Sequence, residues 1–105
     1  VVGVLFETGA ANDTVDALWS AIGDPGERQP LETAIDLTNL LPDEDSAWRY
    51  EGSLTTPPCS EIVSWTVFTS PLTVSQDQVD AFIATVGENA RPPQPLYRRY
   101  VLLDD

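Results

Sequence analysis

The sequence predicts an α+β fold built on a largely antiparallel sheet. Segments with the apolar patterning of strands are residues 1–6, 48–54, 61–70 and 97–103. Apolar residues recur at helical spacing in residues 13–22 and 75–86. Strands therefore outnumber helices, and the helices do not alternate regularly with the strands. This mixed order favours the α+β class over a parallel α/β sheet.

The predicted strands differ in character. The first begins at Val1 without a turn or cap before it, so we expect the chain to be the C-terminal part of a larger protein. Residues 61–70 are almost continuously apolar, which predicts a strand in the middle of the sheet that is buried on both faces. Residues 31–41 fit either an extended segment or a short helical turn. Residues 89–95 cannot form a helix or a central strand, because their three prolines lack backbone donors and fix φ.

Both predicted helices carry signals at their ends. Asn12 is a good N-cap for the first helix, and the turn at residues 24–26 ends it. Ser75 and Gln78 form a capping box for the second helix, and Gly87 supplies its C-terminal stop. The apolar faces consist of Val15, Leu18, Trp19 and Ile22 in the first helix and of Val79, Phe82, Ile83 and Val86 in the second.

The charge balance excludes several classes of partner. Seventeen acidic residues against five arginines, with no lysine, give a formal net charge of −12. Nucleic acid and anionic lipid both require cationic contacts, so we expect neither as a partner. No run of about 18 apolar residues is present to span a membrane. An acidic, lysine-free surface suits high salt, and it also arises from compositional bias in an arginine-favouring genome.

The most informative segment is the loop at residues 53–59, Ser-Leu-Thr-Thr-Pro-Pro-Cys. Thr55 and Thr56 place two hydroxyl groups on a backbone that the following prolines stiffen. A hydroxyl can accept one hydrogen bond while it donates another, which is useful where a reacting oxygen must be held in one orientation. On spacing alone, a strand end that is capped by threonine and stopped by proline is the simpler interpretation.

A second segment, considered with this loop, identifies a family. The chain resembles the α-class carbonic anhydrases along essentially its whole length, and the similarity is strongest in residues 1–6, 53–59, 63–65 and 89–96. The resemblance implies that residues 1–105 are the C-terminal part of a single domain. That domain has a twisted, mostly antiparallel central sheet with peripheral helices.

The resemblance also implies roles for individual residues. Thr55 matches the threonine whose hydroxyl accepts a hydrogen bond from zinc-bound hydroxide and passes its own proton to a buried glutamate. Thr56 matches the neighbouring hydroxyl that contacts substrate or bicarbonate, and Tyr50 matches a tyrosine in the hydrogen-bond network under the loop. The apolar wall that accepts CO2 is matched by Val1, Leu54, Val63 and Trp65.

Other matched positions are structural. The bond between Pro57 and Pro58 is cis in the family. Cys59 matches one partner of a disulfide found in secreted and bacterial members, its mate lying outside this chain, and this implies a secreted or periplasmic protein. The rival interpretation of Cys59 is a buried free thiol. Asn89 and Arg91 are expected to brace the proline-rich segment against the sheet.

The family is zinc-dependent, yet the chain has no histidine. We therefore expect the zinc ligands and the carboxylate partner of Thr55 to lie upstream, in the missing N-terminal half of the domain, and no metal to bind this chain. The expected function of the intact protein is the reversible hydration of CO2 to bicarbonate, with weak esterase activity, while the isolated fragment is expected to be inactive. The alternative is a non-catalytic binding domain that keeps the fold without the zinc ligands.

Overall fold

The computed structural model describes all 105 residues of the chain. It contains two α-helices, a short 3-10 helix at Leu37–Leu40 and six strands. The helices are α1 (Asp13–Ser20) and α2 (Gln76–Val86). The strands are β1 (Val2–Gly3), β2 (Phe6–Thr8), β3 (Ala47–Gly52), β4 (Val63–Phe68), β5 (Leu72–Val74) and β6 (Leu102–Asp104).

These elements belong to two compact units. The first unit consists of residues 1–5, 42–71 and 89–105, and the second of residues 6–41 and 72–88. The first unit holds the four-stranded sheet with the Thr-Thr-Pro-Pro loop, and the second holds both α-helices with a two-stranded sheet. Neither α-helix is long and apolar enough to cross a lipid bilayer.

The sheet of the first unit is mixed and has the strand order β1-β4-β3-β6. Strand β3 pairs antiparallel with β4 over six residue pairs, from Ala47 opposite Phe68 to Gly52 opposite Val63. Strand β6 is also antiparallel to β3, whereas β1 runs parallel to β4. The prediction of a largely antiparallel sheet therefore holds for β3, β4 and β6 and misses the parallel edge strand.

Strand β4 lies between two neighbours, as its apolar sequence predicted. The predicted burial on both faces is wrong for this chain. Val63 is the only buried residue of β4, Ser64 is exposed, and the other four residues are half-buried. The core of this unit lies at Val63 and at Ala47 on β3, which is 2% exposed.

The second unit contains a parallel pair of strands that the sequence did not indicate. Strand β2 pairs with β5, with Phe6 opposite Leu72 and Thr8 opposite Val74. The single strand predicted at residues 1–6 is therefore wrong. It is divided into β1 and β2, which take partners in different sheets. The strands that pair with β1 and β2 lie more than 60 residues away in the sequence. The local apolar pattern, on which the prediction was based, does not specify such distant partners.

Both helix caps form as predicted. The Asn12 side chain accepts hydrogen bonds from the backbone N–H groups of Thr14 and Val15, so it caps α1, which ends at Ser20 and not at the predicted residue 22. Ser75 and Gln78 form the reciprocal capping box of α2, and Gly87 follows the helix with a φ of 71°. Glycine adopts this positive φ without steric strain, because it has no Cβ.

The apolar faces of the two helices meet in the second unit. The rings of Trp19 and Phe82 stack with their centroids 5.2 Å apart. Val15 on α1 and Val74 on β5 are 4% and 7% exposed and form the buried centre. Offset aromatic stacking adds to the free energy gained from burying these apolar side chains.

One polar side chain, Gln78, is buried in this apolar region. Its Oε1 accepts hydrogen bonds from the backbone N–H groups of Asn12 and Ser75, both at 3.0 Å. Its Nε2 donates to the backbone oxygen of Asn12 at 2.8 Å and to Asp16 Oδ1 at 2.6 Å. The Gln78 carbonyl accepts the indole N–H of Trp19 at 3.0 Å. Gln78 therefore joins the capped N-termini of α1 and α2.

Two further segments, residues 31–41 and residues 97–103, contain little regular structure. Within residues 31–41 only the 3-10 helix at Leu37–Leu40 is regular, and Asp36 caps it. Hydrogen bonds from the side chain and the backbone of Thr38 lower the pKa of Asp36. The strand predicted at residues 97–103 is observed only at Leu102–Asp104, and its predicted first residue, Tyr97, has a φ of 51° that a strand does not accommodate.

We predict that Gln78→Ala lowers the free energy of unfolding by about 2 to 3 kcal/mol, because it leaves buried backbone groups of Asn12 and Ser75 without partners. The matched control is Gln76→Ala on the same helix, where the lost side-chain bond to Asp80 is exposed. The control is expected to change stability by less than about 0.5 kcal/mol. Urea unfolding of the intact protein measures both, and equal losses would contradict the role of Gln78.

Candidate active site

The Thr-Thr-Pro-Pro loop connects β3 to β4, and the last pair of the ladder, Gly52 opposite Val63, closes it. Inside the loop, the Leu54 N–H donates to the Ser60 carbonyl at 3.0 Å, and the Cys59 N–H donates to the Thr56 carbonyl at 2.9 Å. The prolines contribute no N–H of their own. The loop is therefore a compact turn with internal hydrogen bonds.

The loop backbone has two special features. The peptide bond between Pro57 and Pro58 is cis, as the family resemblance implies. Cys59 follows with a φ of 56°, and its thiol is free and half-buried in this chain. A disulfide from Cys59 to a partner outside these residues stays a prediction.

Trp65 on β4 fixes the start of the loop. Its indole N–H donates to the Ser53 carbonyl at 3.1 Å. Tyr50 is the cross-strand partner of Trp65, and the two rings stack with centroids 6.3 Å apart. Gly52 allows this approach, because a Cβ there would lie 2.9 Å from Trp65 Cδ1. Tyr50 thus packs against the residue that holds the start of the loop, and its place in a hydrogen-bond network stays a prediction.

The proline-rich segment contacts the same residues from another part of the chain. Nη1 of Arg91 donates to Ser53 Oγ at 2.8 Å and lies 3.4 Å from the Leu54 carbonyl oxygen. Arg91, which is half-buried, thus connects the proline-rich segment to the loop, and its bracing role stays a prediction. No hydrogen bond forms from the side chain of Asn89, and its predicted bracing role stays a prediction.

A second arginine, Arg99, anchors the proline-rich segment, and the sequence did not single it out. Its guanidinium donates to the carbonyls of Pro95 at 2.8 Å, Leu96 at 3.1 Å and Glu51 at 2.8 Å. The first two lie in the segment and the third lies on β3. Leu96 and Pro95 are only three and four residues away in sequence, whereas Glu51 is 48 residues away and becomes a neighbour only after folding.

The loop and the proline-rich segment enclose an open cleft of about 370 Å³. Among the residues predicted from the sequence, those that line it are Tyr50, Thr55, Trp65 and Arg91, and Ser53 lies beside them. Those that do not line it are Val1, Leu54, Thr56, Pro57, Pro58, Cys59, Val63 and Asn89. The cleft therefore brings together the predicted catalytic threonine and its supports, but only one member of the predicted apolar wall.

The apolar wall is nevertheless consistent with the strand geometry. Val63 and Trp65 are two residues apart on β4, so their side chains leave the same face of the sheet. The Val1 carbonyl accepts the Thr66 N–H at 2.9 Å, which places Val1 beside Trp65. Val1 is 62% exposed and Leu54 is 36% exposed in this chain, whereas Val63 is buried.

The two threonines present their hydroxyl groups without a partner. Both residues are exposed, and neither hydroxyl hydrogen-bonds to another residue of the chain. The Trp65 indole N–H donates to the Ser53 carbonyl in the backbone before them, and Arg91 contacts the Leu54 carbonyl oxygen. The site thus offers free donor and acceptor groups on a fixed support, which is the arrangement that orients a bound oxygen.

These residues do not fit a zinc ion by themselves. No group of three or more His, Cys, Asp or Glu side chains is close enough to hold a metal. Cys59 is the only cysteine, and a lone thiol is a poor zinc site.

Comparisons with known proteins agree on one class. The chain superimposes with a TM-score of 0.91 on an α-carbonic anhydrase of Thermovibrio ammonificans, solved with the inhibitor sulfanilamide. The two are 42% identical, and the match covers 95% of this chain and 45% of the other. A hyperthermostable carbonic anhydrase from a hydrothermal vent chimney gives a TM-score of 0.94 at 36% identity, over 99% of this chain and 47% of that one. Over the part that it covers, the chain has the fold of these carbonic anhydrases.

The sequence comparisons name the family. The profile of the eukaryotic-type carbonic anhydrases matches residues 1–104, and the chain belongs to this α-class family of lyases. A carbonic anhydrase of Klebsiella pneumoniae is 44% identical over 104 residues, which are 97% of this chain and 42% of that protein. A carbonic anhydrase of Nostoc sp. is 39% identical over 97% of this chain and 39% of its own length. The chain thus spans less than half the length of these relatives.

We predict that Trp65→Phe lowers the free energy of unfolding by about 1 to 3 kcal/mol, because it leaves the Ser53 carbonyl without its donor. The matched control is Trp48→Phe on β3, since Trp48 is 41% exposed and its indole donates no hydrogen bond. The control is expected to cost less than about 1 kcal/mol. Far-UV circular dichroism of the intact protein in urea is a suitable measurement, because it does not depend on tryptophan fluorescence. A loss for Trp48→Phe as large as that for Trp65→Phe would contradict the prediction.

Proposed function

We propose that the intact protein is a zinc-dependent carbonic anhydrase that catalyses the reversible hydration of CO2 to bicarbonate and a proton, with weak esterase activity. The observation that carries this proposal is the free Thr55 hydroxyl, presented in a cleft on a loop that Trp65 and Arg91 hold in place. The zinc ligands would lie in the part of the relatives that this chain does not cover. When bound, zinc would lower the pKa of a coordinated water to about 7.

The residues of this chain would act on the reacting oxygen and on the substrate. The Thr55 hydroxyl accepts one hydrogen bond and donates another, so it fixes the orientation of the oxygen that attacks CO2. Thr56 offers the neighbouring hydroxyl to substrate or bicarbonate. The surface against which CO2 would rest is apolar and consists of Val1, Leu54, Val63 and Trp65.

We also propose that the protein is secreted or periplasmic. A disulfide from Cys59 would require an oxidising environment, which favours a secreted or periplasmic protein. The half-exposed thiol of Cys59 is accessible to such a partner. Mass analysis of the intact protein under non-reducing conditions would contradict this if it found Cys59 as a free thiol.

A CO2 hydration assay tests the function directly. We predict that the intact protein loses its activity when zinc is removed by a chelator and regains it when zinc is restored. The 105 residues alone are expected to bind no zinc and to give no rate above buffer. An intact protein without zinc-dependent hydration would contradict the proposal and support a non-catalytic binding domain.

Thr55→Val is the sharpest single substitution at the site, since valine keeps the shape of threonine and removes the hydroxyl. We predict that it lowers kcat by a factor of about 100 to 1,000, the usual effect of losing one preorganised hydrogen-bonding group. The matched control, Thr33→Val at an exposed bend of the second unit, is expected to leave kcat unchanged. Steady-state CO2 hydration kinetics of the intact variants measure both. A kcat for Thr55→Val within about threefold of the wild type would remove Thr55 from the mechanism.

A further inference from the structure

We infer that Arg91 is a positioning residue for Thr55 and does more than brace the proline-rich segment. The inference rests on the proposed function, because it assigns Arg91 to the orientation of the same hydroxyl. Nη1 of Arg91 reaches two atoms, Ser53 Oγ at 2.8 Å and the Leu54 carbonyl oxygen at 3.4 Å.

The Leu54 carbonyl belongs to the peptide unit that contains the backbone nitrogen of Thr55. A peptide unit is planar, so a contact at its oxygen restricts the orientation of the whole plane. Arg91 therefore restrains the plane through which Thr55 is attached to the loop.

Trp65 restrains the preceding peptide plane in the same way. Its indole N–H donates to the Ser53 carbonyl at 3.1 Å, and this carbonyl belongs to the Ser53–Leu54 peptide. The Leu54 N–H of that plane donates to Ser60 at 3.0 Å. With both planes held, the backbone dihedral angles of Leu54 are restrained from either side. The freedom left to the Thr55 hydroxyl is then mainly rotation about the bonds of Thr55 itself, its backbone φ and its side-chain χ1.

Arg91 differs from the neighbouring arginine in what it contacts. All three donors of Arg99 bind carbonyls of Glu51, Pro95 and Leu96, none of which adjoins Thr55. Arg91 instead lies 37 and 38 residues from its partners in sequence and reaches the two residues directly before Thr55. The planar guanidinium suits this role, because it presents several N–H donors in a fixed geometry.

The kinetic test compares Arg91→Ala in the wild-type and the Thr55→Val backgrounds of the intact protein. Alone, Arg91→Ala is expected to lower kcat and kcat/KM for CO2 by the same factor of about 10 to 100, as for a displaced catalytic group. In the Thr55→Val background it is expected to lower kcat by less than about twofold, because the hydroxyl that it positions is gone. Arg91→Lys should recover part of the loss. The matched control is Arg98→Ala, since Arg98 is exposed and makes no hydrogen bond.

If Arg91→Ala does not fold, a variant with a smaller structural change tests the same contact. Ser53→Ala removes only the Oγ acceptor and keeps the backbone carbonyl that Trp65 binds. It is expected to lower kcat by about 3- to 10-fold. Ser64→Ala is its control, because the Ser64 side chain is exposed on β4.

Amide hydrogen exchange gives a readout that does not depend on activity. In Arg91→Ala, the amides of Leu54 and Cys59, which bond within the loop, are expected to exchange at least about tenfold faster than in the wild type. Unchanged exchange there would overturn the inference, and so would an undiminished effect of Arg91→Ala on kcat in the Thr55→Val background. An inactive wild type would overturn the proposed function and the catalytic part of the inference, while exchange alone would decide whether Arg91 orders the loop.

Discussion

The antiparallel pairing of β3 with β4 holds both ends of the loop at Gly52 and Val63, and the geometry of the site follows from that register. It places Tyr50 opposite Trp65, so that their rings stack. The stacked indole then points its N–H at the loop backbone. A shift of one residue would turn Trp65 to the other face of the sheet and release the loop.

Around the loop, arginine side chains donate the hydrogen bonds that backbone N–H groups would donate in a helix or a sheet. The proline-rich segment cannot join a ladder, because its prolines lack N–H groups. Its carbonyls still need donors, and the Arg99 guanidinium supplies them at Pro95 and Leu96. Arg91 extends the same arrangement to Ser53 and the Leu54 carbonyl. The two arginines thereby connect a segment without secondary structure to the strand that begins the site.

The second unit uses the same principle with a neutral side chain. The Gln78 amide hydrogen-bonds to backbone groups at the N-termini of α1 and α2, although the residue is only 6% exposed. A buried amide that satisfies its donors and acceptors favours one arrangement of its neighbours, because any other leaves polar groups without partners. The helices are thus held by aromatic packing of Trp19 with Phe82 and by this polar connection.

The sequence by itself determined the features whose partners are close in the chain. The Asn12 cap, the Ser75–Gln78 capping box and the glycine stop all act within four residues, and each formed as predicted. The Thr-Thr-Pro-Pro loop was likewise recognisable, because its chemistry is contiguous. Only the tertiary structure decided which strands pair in parallel, where Arg91 and Arg99 donate, and which predicted residues share a cleft. The parallel strand pairs, the Arg91 contacts and the Arg99 contact with Glu51 join residues about 40 to 70 positions apart, and the local apolar pattern carries no information on such partners.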